Sequence, residues 1–179
     1  MLIKRLSVSL CSLVLCLTLS LVLAATGLAA ETPAGEIRSI TSTEAHALWR
    51  ATPGKAFVVD VRTPEEYAQG HPPMAANVPF LVRTAAWLPP TENQRFVEQM
   101  RRRYKTTDKL LIICRTGNRS LLAARRLVAA GFADVLNVVD GVEGQAPAAH
   151  GKPPARGWHN HGLPWTTDLD ATLVYKPAN

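Results

Sequence analysis

Residues Leu110–Leu122, LLIICRTGNRSLL, decide how this chain folds. Four apolar residues, Leu110 to Ile113, run directly into Cys114, and a short loop, Arg115–Thr116–Gly117–Asn118, leads to Arg119 and Ser120. A helical pattern follows. The order is strand, tight loop, helix, with a thiol at the first loop position. Such a loop can turn successive backbone N–H groups into one concavity. The helix after it adds free N–H groups and the positive end of its dipole. Both favour an anion, and reactive cysteines occupy such surroundings. A thiol beside an anion cradle with two arginines, Arg115 and Arg119, suggests sulfur transfer or phosphate-ester chemistry. The alternative is a buried, inert structural thiol at a strand end.

Working outward, the segments on either side repeat the alternation. Lys109–Ile113 reads as a buried strand, and the helix after Ser120 ends at Gly131. Val135–Val139 reads as a third strand, closed by Asp140–Gly141. Upstream, Thr91 with Gln94 predicts a capped helix start, and Phe96, Val97, Met100 and Tyr104 supply an amphipathic stripe. The basic run Arg101–Arg102–Arg103–Tyr104–Lys105 falls at its end, where it complements the dipole.

Further upstream, AFVVDV at Ala56–Val61 is a short apolar run bounded by turns, a buried strand broken only by Asp60. Thr63, Pro64 and Glu66 form the signature of a short helix start, stopped at Gly70. Thr41 and Glu44 mark another helix that ends at Pro53–Gly54. His71–Ala75 must be a turn because of Pro72 and Pro73. Asn77–Pro79 reads as a very short edge strand or extended link, and Trp87–Leu88 as cover for a core edge or pocket. Strands alternating with helices imply an α/β fold with a parallel sheet and right-handed crossovers. Ligands of such folds bind beyond the carboxyl ends of the strands, where Cys114 and Asp60–Arg62 both fall.

The N-terminal stretch reads differently. Lys4 and Arg5 precede an almost wholly apolar run from Leu6 to Leu23, and Gly27–Leu28–Ala29 is a small-x-small cleavage site. Residues 1–29 read as a secretory signal peptide, with an uncleaved membrane anchor as the alternative. Residues 30–39 read as a flexible lead, 40–169 as one domain and 170–179 as a tail. Of 20 basic and 14 acidic residues, only Lys4 and Arg5 fall in the leader, so the mature chain keeps a net charge of +4. That balance attracts small anions weakly; no nucleic-acid partner is expected. Of the three cysteines, Cys11 and Cys16 fall in the leader and only Cys114 survives processing. A lone cysteine in an exported protein is an intermolecular partner or a free reactive thiol. His150, His159 and His161 do not form a metal-ligand pattern, since an i, i+2 pair does not share a helix face. Gly157–Gly162 reads as a short helix capped by Gly162. No metal and no cofactor are expected.

At this point the sequence resembles the rhodanese-like (sulfurtransferase) domain family. The resemblance runs from about Ile40 to Trp165 and rests on Asp60–Val61–Arg62, Glu66–Tyr67, Gly70–His71, the loop Cys114–Ser120, Asp140–Gly141, and Gly157–Trp158 with Gly162–Trp165. It implies a three-layer α/β domain with a central parallel sheet. It implies that Cys114 carries sulfane sulfur as a persulfide, from an anionic donor such as thiosulfate to a thiol, cyanide or protein acceptor. Arg119 and the loop residues Thr116, Gly117 and Asn118 are then expected to stabilise the thiolate and hold the donor, with Arg115 steering anions at the mouth. Asp60 and Arg62 are expected to fix the loop from behind, Ser120 to line the donor site and to cap the next helix rather than act as an acid, and His71 to be a hydrogen-bonded turn residue. Cys114 to Arg119 spans six residues, one fewer than in the related phosphatases, which ranks phosphatase or arsenate reductase activity behind sulfur transfer. A non-catalytic module binding a periplasmic protein is the other alternative, and thiol redox activity is disfavoured by the lack of a second mature cysteine. Met74 stands where the family usually has glycine, and residues 142–156 lengthen the chain relative to the shortest members.

Overall fold

The computed structural model describes residues 36–83, 85, 87–145 and 156–177, all within the compact unit Gly35–Asn179. The leader, its cleavage site, Cys11, Cys16 and His150 lie outside the described residues, as do residues 146–155 of the added segment.

Among the described residues, seven strands and four helices follow in chain order: β1 Ser39–Ile40, α1 Ser42–Ala51, β2 Ala56–Asp60, α2 Pro64–Ala68, β3 Ala76–Asn77, β4 Leu81–Val82, β5 Thr91–Glu92, α3 Phe96–Arg103, β6 Lys109–Ile113, α4 Asn118–Ala129 and β7 Asp134–Val138. Five strands make one parallel sheet in the order β1-β7-β6-β2-β3. β6 is central, with Asp60 of β2 beside Ile113 and Ala56 beside Lys109. Central parallel strands are covered on both faces, hence their unbroken apolar runs. Side chains alternate as the pleat requires. Val59, Leu110, Ile112 and Val135 pack with Phe96 and Met100 of α3 and Ala123, Ala124 and Leu127 of α4. Val58, Leu111, Ile113, Leu136 and Val138 pack with Ala45 of α1 and with Trp158. The result is the three-layer α/β arrangement with a central parallel sheet, and Cys114 leaves β6 on the face of α3 and α4.

Local rules explain the first two helices. The Thr41–Glu44 and Thr63–Glu66 capping boxes both form, and Pro64 opens α2. The third expectation fails. Thr91 does not start a helix; it pairs with Val82 in an antiparallel hairpin. The helix begins instead at Phe96, with no side-chain cap. Buried Asn93 organises the turn before it, donating to the Pro79 carbonyl (2.9 Å) and Gln99 Oε1 (2.8 Å) while its Oδ1 accepts from the Arg95 amide (3.1 Å). A buried amide that bonds three segments outweighs a local cap signal. Trp87, in the connection between β4 and β5, is 82 % exposed and covers neither core nor pocket.

Two boundaries also move. Ser39 is not part of a flexible lead, because it pairs with Asn137 in the sheet. The tail docks through Leu173, whose carbonyl accepts from the Asn77 amide at 2.8 Å, and Thr172, whose carbonyl accepts from Arg103 at 2.9 Å. Gly157–Gly162 is one hydrogen-bonded turn rather than a helix, closed by His161 N–H to the Gly157 carbonyl at 3.0 Å. Trp158 within it is fully buried and donates its indole N–H to the Pro164 carbonyl at 2.9 Å.

Candidate active site

Strand β6 delivers Cys114 to the floor of an open pocket of about 450 Å³, lined by Cys114, Arg115, Thr116, Asn118, Arg119 and Leu122. The thiol is only 1 % exposed. The Gly117 N–H points at Cys114 Sγ from 3.2 Å. Ser120 Oγ is 3.3 Å from the sulfur and 2.9 Å from the Gly117 carbonyl, so its single proton serves one acceptor at a time. Ser120 is therefore not the cap of α4, as the sequence suggests. That position belongs to Gly117, which has no side chain to accept from the first amides of the helix. The orphan amides of the first turn are left for an incoming anion.

The turn 140–145 explains why the loop presents N–H groups rather than carbonyls. Val142 N–H donates to the Cys114 carbonyl at 2.8 Å and Glu143 N–H to the Arg115 carbonyl at 3.0 Å. Gln145 Nε2 donates to the Thr116 carbonyl at 3.0 Å. Three successive carbonyls are thus tied to one side. In a trans peptide the next N–H points opposite to the carbonyl, and no cis bond occurs among the described residues. The amides of Arg115, Thr116 and Gly117 are therefore directed away from this turn, and the Gly117 amide reaches the sulfur. Two glycines make the packing possible. Gly117 has φ +90°, and a Cβ there would lie 1.9 Å from the Val139 carbonyl oxygen. A Cβ on Gly141 would lie 2.5 Å from the carbonyl oxygens of both Cys114 and Arg115. Asp140 fixes the turn against α1, accepting from the Ser42 amide and hydroxyl, both at 2.7 Å.

Both loop arginines are paired. Arg119 makes a two-pronged bond to Glu66 of α2, at 2.6 and 2.8 Å. Burial pushes the Glu66 carboxyl up, but the Arg119 hydrogen bond, the Thr63 amide and the Arg119 and Arg62 charges outweigh it and hold the group at about 2. The same hydrogen bond, against the opposing effect of burial, holds Arg119 above the ordinary guanidinium range. Arg115 lies at the mouth, and its Nε donates to Glu143 Oε2 at 2.7 Å.

Asp60 and Arg62 form a buried pair, with Arg62 Nη2 2.7 Å from Asp60 Oδ2 and Arg62 Nε 3.0 Å from both carboxylate oxygens. The remaining bonds of these side chains do not reach the cysteine loop. Arg62 Nη2 donates to the Gly70 carbonyl at 2.7 Å, and its guanidinium lies 5.8 Å from the centre of the Trp165 ring. The pair is thereby tied to the turn just after α2, the helix that carries Glu66. His71 is buried in the turn that follows, stacked 3.6 Å from Tyr67 with Nδ1 3.0 Å from the Tyr67 carbonyl. Burial lowers its pKa, against the raising effect of the Tyr67 carbonyl and the Asp60 charge.

The structure brings Cys114, Arg115, Thr116, Gly117, Asn118, Arg119 and Ser120 to one pocket and its wall. Asp60 and Arg62 stand behind α2. Sequence reasoning missed Glu66, Glu143 and Gln145 as partners of the loop. Beyond the Glu66–Tyr67 pair on which the resemblance rests, Glu66 is legible only as a capping residue, and its Oε2 does accept from the Thr63 amide at 2.9 Å. That helix start also placed its free carboxylate edge toward the strand ends, which was the available signal. Glu143 and Gln145 carry no local signal at all.

Comparison with known proteins agrees with this geometry. The model of the rhodanese-like domain family matches residues 43–146. The chain is 35 % identical over 126 residues to the chloroplastic thiosulfate sulfurtransferase 16 of Arabidopsis thaliana, spanning 70 % of this chain and 90 % of that protein. It is 31 % identical over 143 residues to thiosulfate sulfurtransferase 18 of the same plant, spanning 79 % and 92 %. Among solved structures, Rv0390 from M. tuberculosis superposes with a TM-score of 0.60 at 31 % identity, covering 73 % of this chain and 97 % of that one. The chain belongs to the rhodanese-like domain family.

Proposed function

We propose that the protein is a sulfurtransferase that carries sulfane sulfur as a persulfide on Cys114. One observation carries this reading: Cys114 Sγ lies on a pocket floor with the Gly117 amide and the Ser120 hydroxyl aimed at it, beneath an uncapped helix start. The thiosulfate sulfurtransferases that span most of the chain support it. The Cys114 thiolate attacks the outer sulfur of thiosulfate. A new S–S bond forms, the old one breaks, and sulfite leaves with the bonding pair. A thiolate or cyanide then attacks the outer sulfur of the persulfide and releases the Cys114 thiolate. The loop amides stabilise the negative sulfur at each stage, by the charge-assisted hydrogen bonding that oxyanion holes use. Arg119, fixed by Glu66, holds the wall against which the donor rests. No cofactor takes part.

We also propose that residues 1–29 export the protein, so that it works in the periplasm or outside the cell, where a periplasmic protein can serve as acceptor. Among the described residues no helix is long and apolar enough to cross a membrane. Intact mass of the purified mature protein tests both points. After thiosulfate it should gain one sulfur, lose it to cyanide, and show no gain in Cys114→Ser. A mass that never changes with any sulfane donor overturns the enzymatic reading, and a retained Met1 overturns cleavage of the leader in favour of an uncleaved anchor.

A further inference from the structure

Both charges that should attract an anionic donor are cancelled. Arg119 faces Glu66, and Arg115 faces Glu143. Glu66 stands inside the wall, but Glu143 is more than half exposed at the mouth, as is Arg115. Its backbone is held on both sides. Its N–H donates to the Arg115 carbonyl at 3.0 Å, and its own carbonyl accepts from Asn160 Nδ2 at 2.7 Å. The carboxylate is therefore tethered beside the entrance whether or not its ion pair with Arg115 is closed at a given moment. Such a surface pair adds little stability. What it changes is the field that a donor meets on approach.

We propose that Glu143 sets donor choice: by cancelling Arg115 it makes the pocket prefer sulfane donors of single negative charge over dianions such as thiosulfate. The inference rests on Cys114 being the sulfur carrier. The loop amides and the start of α4 still favour one negative sulfur. Among the described residues that line the pocket, the two arginines, each paired with a glutamate, leave no net positive charge to offset the second. The chemical class that fits is a monoanionic thiosulfonate, polysulfide or persulfide.

The matched probes are thiosulfate, a dianion, and methanethiosulfonate, a monoanion. Each presents the same transferable sulfur on a sulfonyl group. In each case the Cys114 thiolate bonds to that sulfur and the S–S bond breaks, releasing sulfite or methanesulfinate with the electron pair. Cyanide, as common acceptor, takes the sulfur as thiocyanate. Donor kcat/KM is measured for the native protein and Glu143→Gln, which keeps the backbone tethers. Because the Coulomb energy scales with the donor's charge, removing the carboxylate should raise kcat/KM for the dianion by about the square of the factor for the monoanion, on the order of fivefold against twofold. That holds near 10 mM ionic strength, and the gain should vanish near 1 M salt, where the screening length falls to about 3 Å. A thiosulfate gain that exceeds the thiosulfonate gain and disappears in salt supports the inference. Equal changes for both donors, or none, overturn it while leaving Cys114 loading intact. Failure of both donors to load Cys114 in the native protein overturns the carrier reading as well, and the intact mass distinguishes the two failures.

Discussion

Glu66→Gln isolates the charge that positions Arg119. Glutamine keeps an acceptor for the Thr63 amide, so the start of α2 survives, but the carboxylate facing Arg119 at 2.6 and 2.8 Å is lost. The carboxyl is held at about 2 against an ordinary 4.5. That difference corresponds to at most about 3 kcal/mol. Arg119 and Glu66 are 20 % and 30 % exposed, so solvent screening reduces the expected coupling to about 1–2 kcal/mol. The sign follows from the lowered value. The contribution is complete above the unfolded-state pKa near 4.5, and it is lost as pH falls through the folded value of about 2. Urea unfolding of the native protein, Glu66→Gln, Arg119→Gln and the double variant at pH 7 gives the coupling directly. Repeating it at a series of pH values from 7 down to the lowest at which the fold persists should show the native protein losing stability more steeply than Glu66→Gln. A coupling below about 0.3 kcal/mol, which is the usual additivity error, with parallel pH profiles, would refute the claim that Glu66 holds Arg119.

Two further substitutions test the scaffold. Asp60→Asn leaves the buried Arg62 guanidinium without its counter-charge, and stability should fall by about 3–5 kcal/mol; a urea midpoint that implies under about 1 kcal/mol would mean the pair is effectively solvated. Gly117→Ala forces a side chain into φ +90° and toward the Val139 carbonyl at 1.9 Å. If the loop shifts by about 1 Å, sulfur loading of Cys114 should slow by up to about 100-fold, read by intact mass against time; native loading rates would show that the loop tolerates a Cβ.

The legible parts of this structure are those whose cause is local. The capping boxes at Thr41 and Thr63 and the apolar runs into Asp60 and Cys114 each depend on residues within a few positions. They yield α1, α2, β2 and β6 with boundaries shifted by no more than a residue or two. The failures share the opposite property. Thr91–Gln94 satisfies the local rule for a helix start, yet Thr91 is taken by Val82 and the turn belongs to Asn93, whose partners include Pro79 fourteen residues away. Ser120 looks like a cap from its neighbours, but its hydroxyl turns instead to the Gly117 carbonyl and to the thiol six residues earlier. Trp87 looks like cover for a core edge or pocket and is exposed, in the connection between the two strands that pair at Val82 and Thr91.

The same distinction governs the site. The thiol, the glycine and the arginines of CRTGNRS can be read directly, and they suggest an anion cradle. Whether the loop presents amides or carbonyls to the pocket is not written in those residues. It is decided by Val142, Glu143 and Gln145, which bind three successive carbonyls from a turn about thirty positions later. That turn reaches the loop because β7 lies beside β6 in the sheet and Asp140 locks it to α1. The net charge at the mouth is likewise decided away from the motif, by Glu66 on one side and Glu143 on the other. A short motif can therefore name the chemistry, because chemistry needs particular atoms. Orientation and charge balance come from packing, so substrate choice should follow the segments that pack against the loop.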